Sequence, residues 1–339
     1  MRFRIIRDSL SRYACGFLAA SVPLFLAAVL LIVVASAWPA IMFNGWHFLY
    51  TLPWSVGNEY GSATMTVNGF LAPKGAEYGM LVFFVGTLLT SLIALIIAVP
   101  VSIAAALFLS EVAPRRIAGP LGTLVELLAG VPSVVFGLWG IEVVAPAVKN
   151  SIGPVLSHLF GFIPAFRGPV GTGVGLLSSG IVLAIMIIPI ITAVSRDVIE
   201  NLPDEVRHQG YALGATRSEV IGAIILPYAR NGIIGAVTLG LGRALGETMA
   251  VLMVSGSALN YLPGNIYSPV GTMAANIVAL LDSAMIDPTG MAVHALAELA
   301  LVLFILTFIV NALVPIVAGG VVRISSMLPT AAEFGGHRE

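Results

Sequence analysis

Two ionisable side chains, Arg243 and Glu247, interrupt an otherwise apolar run of the sequence. Because they are four residues apart, a continuous helix would place them on one face, where they can meet. A charge within a membrane-length segment is costly unless it is paired or faces water, so it indicates a functional site. An arginine presents a planar fork of donors that suits an oxyanion. We therefore expect a substrate path here; the alternative is a structural ion pair that fixes helix packing.

A second apolar stretch contains Glu126 and Glu142. On a continuous helix they would be about 24 Å apart, too far to act as one carboxylate pair. We expect Glu126 to form a structural or gating ion pair with an arginine, and Glu142 to lie at the outer membrane interface. Between them, residues 130–133 read Gly-Val-Pro-Ser, which should kink or break the helix. A broken helix can line a cavity, with free amide groups near Ser133 available to an anion; a plain proline kink is the alternative.

The most charged stretch of the chain surrounds Gly214 and spans residues 196–230. Residues that favour helices stand on both sides of the glycine, which predicts two short helices with a bend between them. Apolar residues should give these helices an oily side on which a partner could dock, whereas a solvated loop is the alternative. The apolar set is Val206, Tyr211, Leu213, Val220 and Ile224.

The composition identifies a membrane protein. Of 339 residues, 58% are hydrophobic and 10% are charged, with a mean hydropathy of +1.00, whereas soluble domains carry roughly 25% charged residues. The single cysteine, Cys15, excludes an internal disulfide, and neither lysine (Lys74, Lys149) stands in a phosphate-binding G-x-x-x-x-G-K-[ST] motif. The five histidines are scattered. We expect no catalytic residues, no ATP hydrolysis by this chain, and no metal, cofactor or nucleic acid.

Apolar runs long enough to cross a bilayer, about 20 residues each, predict an all-α membrane protein with six transmembrane helices. The first run follows basic residues, as in a signal peptide, but it is too long for one and is interpreted as a retained span. The predicted membrane domain covers residues 16–320 and contains an extracytoplasmic segment (38–78) and a coupling loop (196–230). An N-terminal segment (1–15) precedes it, and a C-terminal tail (321–339) follows it. The predicted spans are about 16–37, 79–110, 120–146, 175–195, 232–259 and 292–317.

The distribution of basic residues predicts the orientation. Twelve of the sixteen lie in the N-terminal segment, the 111–118 turn, the 196–230 loop and the C-terminal tail. The other three loops hold only Lys74, Lys149 and Arg167. Cytoplasmic loops are the ones rich in Lys and Arg, so both termini and the charged loop should be cytoplasmic.

The charged loop resembles the cytoplasmic EAA loop of the permeases of ATP-binding-cassette importers. Gly214 is followed by nine residues and then by Ile224-x-Leu226-Pro227, as in that family. The family's Glu-Ala-Ala positions read His208-Gln209-Gly210 here, so Glu205, one helical turn earlier, is the expected replacement for the glutamate.

Three longer stretches are similar to phosphate-import permeases of the PstC type. They begin at Gly86 (GTLLTSLIAL), Glu126 (ELLAGVPSVVFGLWG) and Gly240 (GLGRALGETMAV), and the similarity extends from the first span to about Pro315. The resemblance implies a type I importer permease fold with cytoplasmic coupling helices, in the bacterial inner membrane. It also implies a second permease subunit (a heterodimer), a cytoplasmic dimer of ATP-binding subunits, and an extracytoplasmic phosphate-binding protein.

The resemblance assigns two groups of residues. The substrate path would hold Arg243, Glu247, Glu126 and Ser133, and contact with the ATPase would involve Glu205, Gly214, Ala215, Ile224, Leu226 and Pro227. The protein would move inorganic phosphate inward by alternating access. The alternatives are a sulfate or molybdate permease, an ion-driven secondary anion carrier, and a non-transporting membrane anchor or sensor.

Overall fold

The structure, a computed structural model, describes residues 2–58 and 63–325. Residues 326–339 of the predicted C-terminal tail and residue 1 of the N-terminal segment lie outside the described residues. The chain divides into two compact units. The first comprises residues 1–81 and 280–304, and the second comprises residues 82–279 and 305–339.

Apolar helices dominate the described residues, which confirms the helical membrane fold. Five helices are long and apolar enough to cross a membrane, and a bent pair brings the number to six. The long helices are α1 (Arg2–Asn44), α2 (Leu81–Val112), α3 (Arg115–Ala129), α4 (Ser133–Phe160), α5 (Leu176–Glu200), α7 (Arg217–Leu245) and α10 (Met291–Ser325). The short ones are α6 (Asp204–Ala212), α8 (Met249–Val254) and α9 (Met273–Ala284).

The third predicted span is broken where the sequence predicted it. Helix α3 ends at Ala129, α4 begins at Ser133, and the two are bent by 92°. Pro132 cannot donate a backbone hydrogen bond, and it disfavours a helical conformation of Val131 before it. The break therefore separates Glu126 on α3 from Glu142 on α4.

The fifth predicted span, 232–259, is not one helix. Helix α7 begins earlier, at Arg217, and ends at Leu245, and α8 begins only at Met249. Gly246 caps the end of α7 at φ −93° and ψ 1°. The placement of Arg243 and Glu247 on a single helix face was therefore wrong.

Helix α5 forms the centre of the second unit. Leu183, Ile187 and Ile191 are fully buried along it, together with small alanines from α2 and α7. Ser102 of α2 donates a hydrogen bond to the Ile188 carbonyl oxygen at 3.2 Å, so α2 and α5 are also joined through polar groups. Nearer the charged loop, a second buried cluster joins the ends of α2 and α5 to the start of α7; it includes Ala106, Ile199 and Val220.

The first unit includes the segment predicted to be extracytoplasmic. Short antiparallel pairs join β1 (Trp54–Ser55) to β4 (Glu77–Tyr78) and β2 (Thr64–Val67) to β3 (Phe70–Pro73). The rings of Trp54 and Tyr78 meet edge to face, with their centroids 5.3 Å apart. Within the same unit, Asn44 of α1 donates to the buried Glu298 of α10 at 2.8 Å, so Glu298 is buried against another helix.

Candidate functional site

Arg243 lies near the end of α7 and lines an open pocket of about 730 Å³. The walls come from α5, α7 and the part of α10 that belongs to the second unit. The polar side chains that line the pocket with Arg243 are Thr238 of α7 and Thr307 and Asn311 of α10. The lining residues are Ile190, Gly235, Thr238, Leu239, Gly242, Arg243, Thr307 and Asn311.

The expected pairing of Arg243 with Glu247 does not occur. Among the ion pairs of the described residues, none joins these two side chains. Glu247 lies beyond the end of α7, is 8% exposed, and accepts a hydrogen bond from the Ala250 amide at 3.3 Å. The carboxylate thus stabilises the start of α8, while the Arg243 guanidinium is exposed to the pocket.

Asn311 lies beside Gly242, the residue before Arg243, and lines the same pocket. A Cβ on residue 242 would lie 3.4 Å from the Asn311 side-chain oxygen and nitrogen. An exposed guanidinium beside an amide group is a donor set that suits a tetrahedral oxyanion, because each can donate to a separate oxygen.

Glu126 and Ser133 lie apart from this pocket. Neither lines it, and in the described part of the chain no hydrogen bond connects either of them to Arg243. Glu126 Oε1 lies 4.0 Å from Arg196 Nη1, so the expected arginine neighbour is present, but Glu126 is 62% exposed. Arg196 makes its shorter contact with Glu200, at 2.7 Å. Ser133 is half-buried at the first position of α4.

The charged loop contains one short helix, α6, and the start of the long helix α7, with Gly214 between them. The predicted bend is present, but the prediction that the second helix is short was wrong. Helix α6 leads to Gly214, whose φ of +78° is readily adopted by glycine. Thr216 then begins α7 with a capping box, in which Glu219 Oε2 accepts from the Thr216 amide at 2.7 Å. Glu205 is exposed in the first turn of α6, where a carboxylate favours the helix dipole.

The remaining residues of this motif differ in burial. Ala215, Ile224 and Leu226 are half-buried, whereas Pro227 is exposed in α7. The prediction of one common oily side was wrong, because Val220 is fully buried while Leu213 is 88% exposed and Tyr211 is 45% exposed. The exposed pair leaves an apolar tip beside Gly214.

One contact of the charged loop was missed by the sequence analysis. Arg207 of α6 donates from Nε to Glu111 Oε1, at 3.1 Å, although the two residues are 96 positions apart. Glu111 lies in a π-helical turn, Phe108–Val112, that ends α2. The sequence shows that Glu111 and Arg207 carry opposite charges in two segments predicted to be cytoplasmic. Charge alone does not specify which residues pair.

The sequence also matches a family of transport proteins. The family model for the "Binding-protein-dependent transport system inner membrane component" matches residues 98–323. The chain belongs to this permease family. The permease is 48% identical over 293 residues to "Phosphate transport system permease protein PstC 1" of Mycobacterium tuberculosis, covering 86% of this chain and 85% of that protein. It is 40% identical over 308 residues to "Phosphate transport system permease protein PstC" of Pasteurella multocida, covering 90% and 89%.

A solved bacterial alginate ABC transporter aligns with the permease at a TM-score of 0.46 and 18% identity, covering 73% of this chain and 80% of that one. The family and the apolar helices together make the permease a multi-pass membrane protein and a component of a multi-subunit transport system.

Proposed function

We propose that this permease is the membrane subunit of an ATP-driven importer that moves inorganic phosphate into the cell by alternating access. The observation that carries the proposal is the identity of 48% and 40% to two permeases named for phosphate transport, each along most of both chains. The exposed Arg243 in its pocket supports it, because a guanidinium suits a phosphate oxyanion.

The energy comes from a separate ATPase, in the form of a subunit dimer that docks on the α6–Gly214–α7 segment. Its exposed apolar tip, Leu213 and Tyr211, and the exposed Glu205 support this assignment. A second permease subunit completes the pathway, and an extracytoplasmic binding protein delivers phosphate. The basic residues of the charged loop support a cytoplasmic location for it and for both termini.

Uptake of radiolabelled phosphate into proteoliposomes tests the proposal. The vesicles hold this chain with the second permease, the ATPase and the binding protein, and sulfate and molybdate serve as competitors. Uptake that requires ATP and every subunit, and that resists both competitors, is the expected result. Competition by sulfate or molybdate would reassign the substrate, and uptake by this chain alone without ATP would indicate a secondary carrier.

A further inference from the structure

The guanidinium of Arg207 joins α6 to the ends of two other helices. Besides the bond from Nε to Glu111, its Nη1 donates to the backbone oxygen of Leu202 at 2.9 Å and to Asp204 Oδ1 at 3.2 Å. Its Nη2 donates to the backbone oxygen of Ile199 at 2.7 Å. The Ile199 carbonyl at the end of α5 also accepts from the Leu202 amide at 3.2 Å, so Arg207 adds a second hydrogen bond there while it binds the end of α2.

The Arg207–Glu111 pair is shielded from water on both sides. The two side chains are 17% and 10% exposed, whereas the acidic partner is 41% to 81% exposed in every other ion pair of the described residues. Shielding makes this pair expensive to break, because removal of one partner leaves a charge without compensation. The pair therefore holds its two helices at a fixed separation more firmly than a solvated pair would.

Helix α6 has a second attachment one turn after Arg207. Gly210 packs against Ile224 and Val220 of α7, and no Cβ separates the two helices there. A displacement of α6 can therefore reach other helices of the second unit by two routes. One leads through the Gly210 contact into α7, and the other leads through Arg207 to α2 and α5.

We propose that the Arg207–Glu111 pair carries the displacement of α6 to the end of α2, which makes both residues positioning residues for transport. The inference rests on the proposed function, since it requires an ATPase that acts on the charged loop. Glu111 lies in a π-helical turn, a feature that often marks functional positions in helices. Loss of the pair uncouples ATP hydrolysis from uptake while leaving the subunits assembled.

The first experiment measures phosphate taken up per ATP hydrolysed in proteoliposomes that hold the full complex. Glu111→Ala and Arg207→Gln are expected to lower this ratio by about fivefold or more, the range of typical coupling between sites. Arg116→Gln is the matched control, because Arg116 is an exposed arginine outside the α6–Gly214–α7 segment, and it should keep the ratio of the unmodified complex. Co-purification of the ATPase verifies assembly.

An unchanged ratio in both variants would overturn the inference, even if hydrolysis and uptake both fall. If Glu111→Ala does not assemble, Glu111→Gln, which keeps an acceptor of the same shape, is judged by the same criterion. Failure of the unmodified complex to import phosphate with ATP would instead contradict the proposed function, so the two failures are distinguishable.

A distance measurement tests the mechanical link directly. Spin labels at Val112→Cys and Gln209→Cys, in a Cys15→Ser background, report the separation between the end of α2 and α6. We expect that separation to stay constant between ATP-bound and nucleotide-free complexes, and to change with nucleotide only when Glu111→Ala is added. A separation that Glu111→Ala leaves constant would show that another contact carries the motion.

Discussion

Ile224 packs so closely on Gly210 that a Cβ on residue 210 would lie 2.5 Å from the Ile224 Cδ1 atom. Val220 Cγ2 would be 2.9 Å from the same position, so an added methyl group must displace two side chains. The contacts with Ile224 and Val220 leave no room for a side chain on residue 210, which accounts for the glycine there.

We predict that Gly210→Ala destabilises the permease by about 1–3 kcal/mol, the usual cost of overpacking. Ile224→Val removes the Cδ1 atom and should recover part of the loss in the double variant. Gly222→Ala is the control, because a Cβ there meets nothing within 4 Å. Thermal unfolding of the purified protein in detergent measures the effect, and a Gly210→Ala protein as stable as the unmodified one would contradict the prediction.

Arg243→Gln should lower the initial rate of phosphate uptake by roughly tenfold or more, since a hydrogen bond to a charged group contributes about 1.5–3 kcal/mol. Arg243→Lys should also be impaired, because an ammonium group lacks the planar fork. Arg230→Gln, on the same helix, is the control. Transport in proteoliposomes is compared with co-purification of the other subunits, and loss of assembly would indicate a structural role for Arg243 instead.

Gly122→Ala should displace Arg196 from the surface of α3, because a Cβ on residue 122 would overlap the guanidinium. Because the atoms that must move are the far end of a flexible side chain, we expect a loss of at most about 1 kcal/mol in the free energy of unfolding, from the disturbed Arg196 ion pairs. Glu126→Gln should cost less than about 1 kcal/mol, since an exposed ion pair contributes little. Gly119→Ala, on the same helix with nothing within 4 Å, is the control. Equal stability of Gly122→Ala and Gly119→Ala would refute the role of this close contact.

Leu213→Asp should weaken binding of the ATPase by about tenfold or more, as expected for an anchor residue at an interface. Leu213 is 88% exposed, so the substitution should leave the stability of the isolated permease unchanged. Leu213→Met keeps the apolar contact and should bind normally. Titration of the ATPase onto immobilised permease gives both affinities, and identical affinities would place the docking surface elsewhere.

Asn44→Leu should destabilise the first unit by about 1–3 kcal/mol, because it leaves a buried carboxylate without its donor. Glu298 is 5% exposed and accepts from Asn44 at 2.8 Å. The double variant Asn44→Leu with Glu298→Met removes both polar groups and should recover most of the loss. Thermal unfolding of the two single variants and the double variant measures the coupling, and additive effects would count against it.

The spans and the break at Pro132 could be predicted because apolar length and proline chemistry are local properties of the sequence. The end of α7 could not, since Gly246 is compatible with a continuous helix as well as with a helix end. The pairing of Glu111 with Arg207 depends on how distant segments fold together, which charge and spacing do not encode. Helix α9 lies between the fifth and sixth predicted spans, and its twelve residues are too few for apolar length to predict a span there.

The 92° bend between α3 and α4 also changes the depth of one carboxylate. In the predicted span 120–146, Glu142 lies near the outer end. In the structure the helix that carries Glu142 begins at Ser133 and continues to Phe160. Glu142 is thus only about 14 Å along that axis, at roughly 1.5 Å per residue. An exposed carboxylate well inside an apolar helix faces water or another subunit rather than lipid.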